Sequence, residues 1–243
     1  MKILLIRHGD PDYSVDGLTE TGRREAALLA ERIAPMDVTE YFVSTMGRAM
    51  DTARPTLEKA GREALACDWL REFGIPVHRP DKGGELSAVP WDWLPQDWSA
   101  NPILLDRERW HEHPVFAEMD LKSAYDRVIE AFERVLARYG YVRQGLCYRV
   151  ERGSSDTLVF FCHFGVSCVL MSHLMNCSPV VLWHGLVMAP SSVTVISTEE
   201  RRPGIAAFRA AAVGDISHLA VAGQEPSFAA RFCEVYGNGD RID

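Results

Sequence analysis

Short apolar runs along the chain alternate with segments whose apolar residues recur at helical spacing. Residues 3–6 form a continuous apolar run, which is typical of a strand buried on both faces of a sheet. From Thr19, a residue type that caps helices, apolar side chains recur on one helical face until Pro35 ends the pattern. The first 35 residues therefore predict a strand, a loop and a helix.

The same unit recurs further along the chain. Residues 41–43 predict a second strand, followed by Ser44 as the cap of a helix that ends at Gly61. Residues 158–162 predict the most apolar strand, followed by another helix. The other predicted elements are a helix at 123–139, a surface hairpin at 141–150, strands at 192–197 and 205–213, and a loose tail at 223–243. Strands that alternate with helices predict a three-layer α/β/α sandwich around a mostly parallel central sheet.

This pattern breaks down between residues 73 and 122. Six prolines and four tryptophans fall in this stretch, and no regular apolar periodicity accompanies them. We interpret residues 73–122 as a partly ordered lid inserted over one end of the sheet, within a single domain that spans residues 1–243. Tryptophans of such a segment more often pack within it than contact substrate, but a pocket roofed by Trp91, Trp93 or Trp98 would admit a substrate with an apolar part.

The composition is that of an ordinary folded enzyme, with 47% hydrophobic and 25% charged residues. The net charge of −8, without a block of basic residues, argues against a nucleic-acid partner. No apolar run reaches membrane-spanning length. The apolar run that precedes Arg7 is too short for the core of a signal peptide. The six cysteines include no C-x-x-C pair. We therefore expect a cytoplasmic protein with no membrane partner, whose oligomeric state the sequence leaves open.

Chemistry-bearing residues follow the predicted strands. Arg7-His8-Gly9, the segment from Ser44 to Arg48, and His163-Phe164-Gly165 each lie where a strand ends. Ligands of open α/β sheets bind beyond these strand ends, so the three segments are expected to converge. Arginines clamp phosphate oxygens, and histidines act as nucleophiles or proton carriers. The sequence therefore predicts a site that can bind a small anion such as phosphate.

These segments resemble the histidine phosphatase superfamily, in its phosphoglycerate-mutase-like branch. The similar motifs lie at residues 6–9, 18–22, 44–53, 70–73 and 163, and the resemblance covers about the first 75 residues and those from about 120 to 220. It implies a covalent phosphoenzyme on His8, with Arg7, Arg48 and His163 neutralising the phosphoryl group and Glu72 protonating the leaving oxygen. Phe164 is expected to line the substrate site. No metal ion and no cofactor are implied.

Departures from the family pattern favour one activity within it. Asp10-Pro11-Asp12-Tyr13-Ser14 lacks the Trp-Asn that mutases carry nearby, and Met46-Gly47 replaces the usual Pro-Leu. Phe164 stands where the family usually has glycine. The leading hypothesis is therefore a phosphatase that hydrolyses a small phosphorylated metabolite. The alternatives are a phosphoglycerate mutase and a non-catalytic module that binds a phosphorylated ligand or a partner.

The sequence leaves open which carboxylate is the proton donor and raises the question of a metal site. Asp81 and Glu85 follow Glu72 closely, and either could replace it as the proton donor. His111-Glu112-His113 contains residue types that bind metal ions, but two histidines two residues apart need further ligands from elsewhere to complete a metal site. We interpret this tripeptide as a solvated loop.

Overall fold

Strands and helices alternate along most of the structure, a computed structural model that describes residues 1–227. The strands of this part are β1 (Lys2–Arg7), β2 (Pro11–Asp12), β3 (Gly17–Leu18), β4 (Glu40–Ser44), β5 (Ala64–Cys67), β6 (Val77–Arg79), β7 (Glu85–Ser87), β8 (Tyr141–Gln144), β9 (Cys147–Val150), β10 (Thr157–Cys162), β11 (Val193–Arg202) and β12 (Ile205–Asp215). The α-helices are α1 (Glu20–Ile33), α2 (Gly47–Ala60), α3 (Pro95–Ser99), α4 (Pro102–Leu105), α5 (Pro114–Glu118), α6 (Leu121–Arg138), α7 (Phe164–Met175), α8 (Pro179–Gly185) and α9 (Ser217–Val221).

Eight of these strands form the central sheet, in the order β5-β4-β10-β1-β11-β12-β9-β8. The neighbours β5, β4, β10 and β1 run parallel, which confirms the predicted parallel core. From β11 to β8 the neighbours pair antiparallel. The predicted hairpin is β8–β9, and it extends this antiparallel half through β12.

Helices cover both faces of the sheet because side chains alternate along each strand. Leu4 and Ile6 of β1 pack in one buried cluster with apolar residues of α1 and α2. Ile3 and Leu5 of the same strand belong to the cluster on the other face, with residues of α6, α7 and α8. This arrangement confirms the predicted three-layer sandwich.

The helix boundaries confirm two of the predicted end signals and contradict a third. The Thr19 hydroxyl accepts a hydrogen bond from the Gly22 N–H at 3.0 Å, which confirms the predicted cap of α1. Gly61 ends α2 in a left-handed conformation, with φ of 62°, as glycine does at many helix ends. The prediction of Ser44 as the cap of α2 is wrong. Ser44 ends β4, and α2 begins at Gly47 because Thr45 and Met46 turn the chain.

Residues 73–122, named here the 73–122 segment, are more ordered than predicted. They contain the β6–β7 hairpin, two 3₁₀ turns and the short helices α3 to α5. Trp93, Leu104, Trp110 and Phe116 are buried in the same cluster as the side chains of α6 to α8. The segment is ordered because its aromatic residues share the main core rather than forming one of their own.

Most of the tail predicted at residues 223–243 lies outside the described residues. Among the helices of residues 1–227, none combines the length and the apolar character needed to cross a membrane.

The loop after β1 touches the first turn of α1 through two glycines. A Cβ atom on Gly22 would lie 2.2 Å from the Asp10 carbonyl oxygen. One on Gly9 would lie 2.8 Å from the Gly22 carbonyl oxygen. Glycine is therefore needed at both positions because the two backbones are in contact, and this contact fixes the loop that carries His8.

Replacing Gly22 by alanine is therefore expected to destabilise the protein by about 1–3 kcal/mol, because the new methyl group overlaps the Asp10 backbone. Helix propensity alone would give the opposite sign, since alanine is preferred to glycine within helices. The free energy of unfolding, measured by urea titration, separates the two effects. Gly185→Ala is the matched control because no atom lies within 4 Å of its added Cβ. Equal stability of Gly22→Ala and wild type would contradict the argument.

Candidate active site

The pairing of β1 with β10 brings two histidines together. The strands are parallel, Arg7 lies opposite Cys162, and the His8 N–H donates to the Cys162 carbonyl at 3.0 Å. The next residues, His8 and His163, therefore emerge side by side, with ring centroids 5.0 Å apart. Both side chains are almost fully buried.

His8 has one free ring nitrogen. Its Nδ1 lies 2.8 Å from the Gly9 carbonyl oxygen, which can only accept a hydrogen bond. The proton is therefore assigned to Nδ1, and Nε2 keeps its lone pair. Burial, together with the charges of Arg7 and Arg48, lowers the pKa of His8 well below its usual value of 6.5. The ring is therefore neutral at physiological pH and can act as a nucleophile through Nε2.

His163 is oriented by Ser44. The Ser44 hydroxyl accepts from the Met46 N–H at 3.3 Å and lies 2.8 Å from Nε2 of His163, to which it can donate. This assignment leaves a proton on Nδ1, a buried atom with no hydrogen-bond partner among residues 1–227. Burial and the neighbouring His8 lower the pKa of His163 well below its usual value. His163 can therefore offer an N–H to an anionic oxygen while neutral.

Two arginines supply the positive charge. Arg7 ends β1, and its guanidinium donates to the Met188 carbonyl. Arg48, buried in the first turn of α2, donates to Asp16 at 2.6 Å. The Nε atoms of Arg7 and Arg48 are both buried and have no partner within the described part of the chain. Because buried donors are normally satisfied, these N–H groups are suited to an anionic ligand.

Glu72 reaches the same strand ends from the segment after β5. Its Oε1 accepts from the Phe73 N–H at 2.8 Å and from the Val166 N–H at 3.1 Å, in the first turn of α7. Burial raises the pKa of Glu72 above its usual range, against the opposing effect of these hydrogen bonds and of Arg7. A carboxyl group that keeps its proton to higher pH is suited to protonate a leaving group.

The other two candidate carboxylates have different surroundings. Asp81 is held by the Arg79 guanidinium, with 3.0 Å between Nε and Oδ1, and this hydrogen bond lowers its pKa. Glu85 is exposed on β7. Glu72 is thus the candidate that hydrogen bonds tie to α7, beside His163.

Thr52 and Asp16 hold the site together and were missed by sequence reasoning. The Thr52 hydroxyl accepts from the Gly9 N–H at 2.9 Å and donates to the Arg48 carbonyl at 2.7 Å, so it joins the His8 loop to α2. Asp16 accepts from the Gly47 N–H at 2.8 Å as well as from Arg48. Neither residue type signals such a role, because both contacts bridge distant parts of the chain.

Ser191 and His218 support His8 from the other side. The Ser191 N–H donates to the His8 carbonyl at 3.0 Å, and its hydroxyl lies 3.1 Å from Nε2 of His218. Ser191 adopts a φ of 59°, a strained value for a residue with a side chain. Burial lowers the pKa of His218 to about 4, so its ring is neutral here.

Aromatic side chains border Glu72. Trp91 and Glu72 pack against the same side of Gly165, where an added Cβ would lie 2.2 Å from the Trp91 ring and 2.7 Å from Glu72 Oε1. Trp91 also meets Phe164 edge to face, with centroids 5.6 Å apart. Of the three tryptophans predicted as candidates to roof the pocket, the structure places Trp91 beside Glu72. Trp93 packs on Phe116 and Trp98 stacks on His184.

The surroundings of the histidine pair differ from those of a metal centre. Within residues 1–227, no group of three or more His, Cys, Asp or Glu side chains is arranged to hold a metal ion. The tripeptide at residues 111–113 begins within a 3₁₀ turn, Trp110–Glu112, of the 73–122 segment.

A family model and named relatives match much of the chain. The family model described as histidine phosphatase superfamily (branch 1) matches residues 3–210. A probable phosphatase of Schizosaccharomyces pombe is 43% identical over 235 residues, covering 90% of this chain and 95% of that protein. A 2,3-bisphosphoglycerate-dependent phosphoglycerate mutase of Thermoplasma acidophilum is 32% identical, covering 65% of this chain and 80% of that protein.

Solved structures show the same fold at low sequence identity. A phosphoserine phosphatase of Entamoeba histolytica in complex with 3-phosphoglyceric acid has a TM-score of 0.57 at 15% identity, covering 90% of this chain and 98% of that chain. A mycobacterial glucosyl-3-phosphoglycerate phosphatase has a TM-score of 0.54 at 21% identity, covering 88% and 98%. With the family model matching most of its length, the chain belongs to the histidine phosphatase superfamily, branch 1.

Proposed function

We propose that this protein is a phosphatase that hydrolyses a small phosphorylated metabolite through a phosphohistidine intermediate on His8. The observation that carries the proposal is the hydrogen bond from His8 Nδ1 to the Gly9 carbonyl at 2.8 Å. It leaves Nε2 as a nucleophile in a pocket with buried N–H groups of Arg7, Arg48 and His163. The S. pombe relative is also named as a phosphatase.

The first step transfers the phosphoryl group to the enzyme. Nε2 of His8 attacks phosphorus, an N–P bond forms, and the P–O bond to the leaving group breaks. The Glu72 proton passes to the leaving oxygen, which departs as an alcohol. Arg7, Arg48 and the Nδ1–H of His163 stabilise the charge on the three phosphoryl oxygens, which is the main requirement of phosphoryl transfer.

The second step returns the enzyme to its starting state. Water attacks phosphorus and gives its proton to the Glu72 carboxylate, while the N–P bond breaks. Inorganic phosphate leaves and Nε2 regains its lone pair. Neutral His8 suits both steps, because a protonated ring could not attack phosphorus. The low pKa that burial and the two arginines impose on His8 therefore supports this mechanism.

The comparisons support a small phosphorylated substrate. The E. histolytica structures contain phosphoserine or 3-phosphoglyceric acid, both small phosphorylated molecules. We propose a substrate of similar size, with the 73–122 segment as a lid within one domain. We also propose a cytoplasmic setting, which the free thiols of Cys67, Cys147, Cys162, Cys168 and Cys177 support.

Phosphoglycerate mutase activity is the second candidate, because the T. acidophilum relative carries that name. A mutase must pass its phosphoryl group to a second oxygen of a phosphoglycerate rather than to water. The distinction therefore lies in the acceptor of the phosphoryl group on His8.

A single turnover with ³²P-labelled phosphomonoester is expected to leave acid-labile, base-stable label on the wild-type protein, as phosphohistidine does. His8→Ala is expected to carry no label and to lose at least about a thousandfold in kcat/KM, because the nucleophile is gone. His78→Ala is the matched control, since His78 is exposed on β6. Full activity in His8→Ala would overturn the mechanism.

The fate of the label separates the two candidate activities. When 3-phosphoglycerate is added to the labelled protein, the phosphatase is expected to release inorganic phosphate. Label found in a bisphosphoglycerate would favour the mutase instead. Phosphate binding without any turnover across a panel of esters would favour a non-catalytic binding module.

The pH dependence of kcat/KM is expected to be bell-shaped. Activity rises as pH passes the lowered pKa of His8, which must be neutral, and falls as pH passes the raised pKa of Glu72, which must be protonated. In Glu72→Gln the fall at higher pH is expected to disappear, and kcat/KM for an alkyl phosphate to drop by about a hundredfold or more. The loss should be smaller for p-nitrophenyl phosphate, whose leaving group needs no proton.

Glu85→Gln serves as the control for this experiment because Glu85 is exposed on β7. It is expected to keep the wild-type profile with both substrates. Equal losses of Glu72→Gln on alkyl and p-nitrophenyl phosphates would show that Glu72 is not the proton donor.

We also propose that the reaction needs no metal ion, since two arginines and a histidine N–H supply the positive charge and donors. Prolonged treatment with EDTA is therefore expected to leave kcat and KM unchanged. Vanadate is expected to inhibit strongly, because it mimics the five-coordinate transition state. Loss of activity on chelation, restored by a divalent cation, would overturn this part of the proposal.

A further inference from the structure

We propose that the substrate is a phosphomonoester whose leaving group is uncharged and apolar next to the ester oxygen, and that Trp91 and Phe164 bind this group. The inference rests on the proposed function, because it concerns the leaving-group side of the same site.

The position of the leaving group follows from the position of the acid. Glu72 must come within hydrogen-bond distance of the ester oxygen in order to protonate it. The carbon atoms attached to that oxygen must then lie against the side chains around Glu72. Trp91 is such a side chain, because it packs with Glu72 against the same side of Gly165.

Trp91 is held in place by other aromatic residues. Its ring centroid lies 5.6 Å from that of Phe164 and 5.8 Å from that of Trp183. Trp183 is itself buried, and its indole N–H donates to the Gly165 carbonyl at 3.1 Å. Trp91 and Phe164 remain half-buried. They therefore offer a preformed apolar surface to a ligand, which costs little conformational entropy to use.

The charges around this surface favour a neutral leaving group. Glu72 becomes an anion when it gives up its proton, so a carboxylate or second phosphate on the leaving group would be repelled there. Arg79, a buried cation of the 73–122 segment, is held by Asp81 and lies 3.6 Å from Asp92. The Arg7 guanidinium, 6.0 Å from the Phe164 ring centre, is assigned to the phosphoryl group.

Two alkyl phosphates with leaving groups of similar acidity test the inference. 2-Phenylethyl phosphate and propyl phosphate differ in the apolar surface that they offer, whereas the intrinsic reactivity of their esters is nearly the same. The wild-type protein is expected to favour 2-phenylethyl phosphate by about tenfold or more in kcat/KM, because the phenyl ring packs on Trp91 and Phe164. Both esters should be preferred to 3-phosphoglycerate, whose leaving group carries a carboxylate.

Trp91→Ala is expected to reduce the ratio of the two kcat/KM values towards one, mainly through the loss on 2-phenylethyl phosphate. Trp91→Phe should retain part of the preference. Trp98→Ala is the matched control, a tryptophan of the same segment that stacks on His184. It is expected to keep the wild-type ratio.

Three results would overturn the inference: equal kcat/KM of the wild type for the two alkyl esters, a preference for 3-phosphoglycerate, or equal losses on both esters in Trp91→Ala. If Trp91→Ala does not fold, the ratio of the two kcat/KM values in the wild type and in Trp91→Phe still tests the inference. Acid-labile label on His8 from propyl phosphate separates the two proposals. With that label and no selectivity, this inference alone fails; without label from any ester, the proposed function fails as well.

Discussion

The parallel pairing of β1 with β10 is the constraint on which the rest of the site depends. Its register sets Arg7 opposite Cys162 and so places His8 beside His163, although the two are 155 positions apart in the chain. A shift of one residue would turn every side chain of β1 to the opposite face of the sheet. Lys2 and Arg7 flank four buried apolar residues, so a slip would carry one of these charged side chains into a buried position, and the core opposes it. The energy of core packing therefore positions the two histidines.

Around this pair the protein gathers groups whose charge is costly to bury. The histidines stay neutral because burial and nearby positive charge both lower their pKa values. The arginines cannot lose their charge, and each keeps a buried Nε–H without a partner among residues 1–227. Asp16 compensates Arg48 in part, at 2.6 Å. An anion with three acceptor oxygens would satisfy what remains, in keeping with the phosphoryl site proposed above.

Glu72 connects this charged pocket to the 73–122 segment. Its carboxylate accepts from the first turn of α7, and Trp91 packs against the same side of Gly165. Burial raises the pKa of Glu72. The aromatic residues of the segment thus combine two tasks, since Trp93, Trp110 and Phe116 complete the core and Trp91 borders the acid. The segment that has no regular sequence pattern therefore packs against residues of the proposed site.

Most strands of the central sheet, the helices α1, α2, α6 and α7, the three layers and a set of candidate site residues could be predicted from the residue pattern and the family resemblance. Strand and helix periodicity, the Thr19 cap and Gly61 are local signals, and local backbone physics decides them. His8 and His163 were recognisable because each directly follows an apolar strand.

The partners of these residues could be identified only from the folded structure. Ser44 orients His163 instead of capping α2, Thr52 joins two distant segments, and Trp91 rather than Trp93 or Trp98 borders Glu72. Asp81 could not be set apart from Glu72 until its contact with Arg79 was known. The physical reason is the same in each case: hydrogen bonds and burial that span the chain depend on packing in three dimensions, and local residue patterns do not encode them.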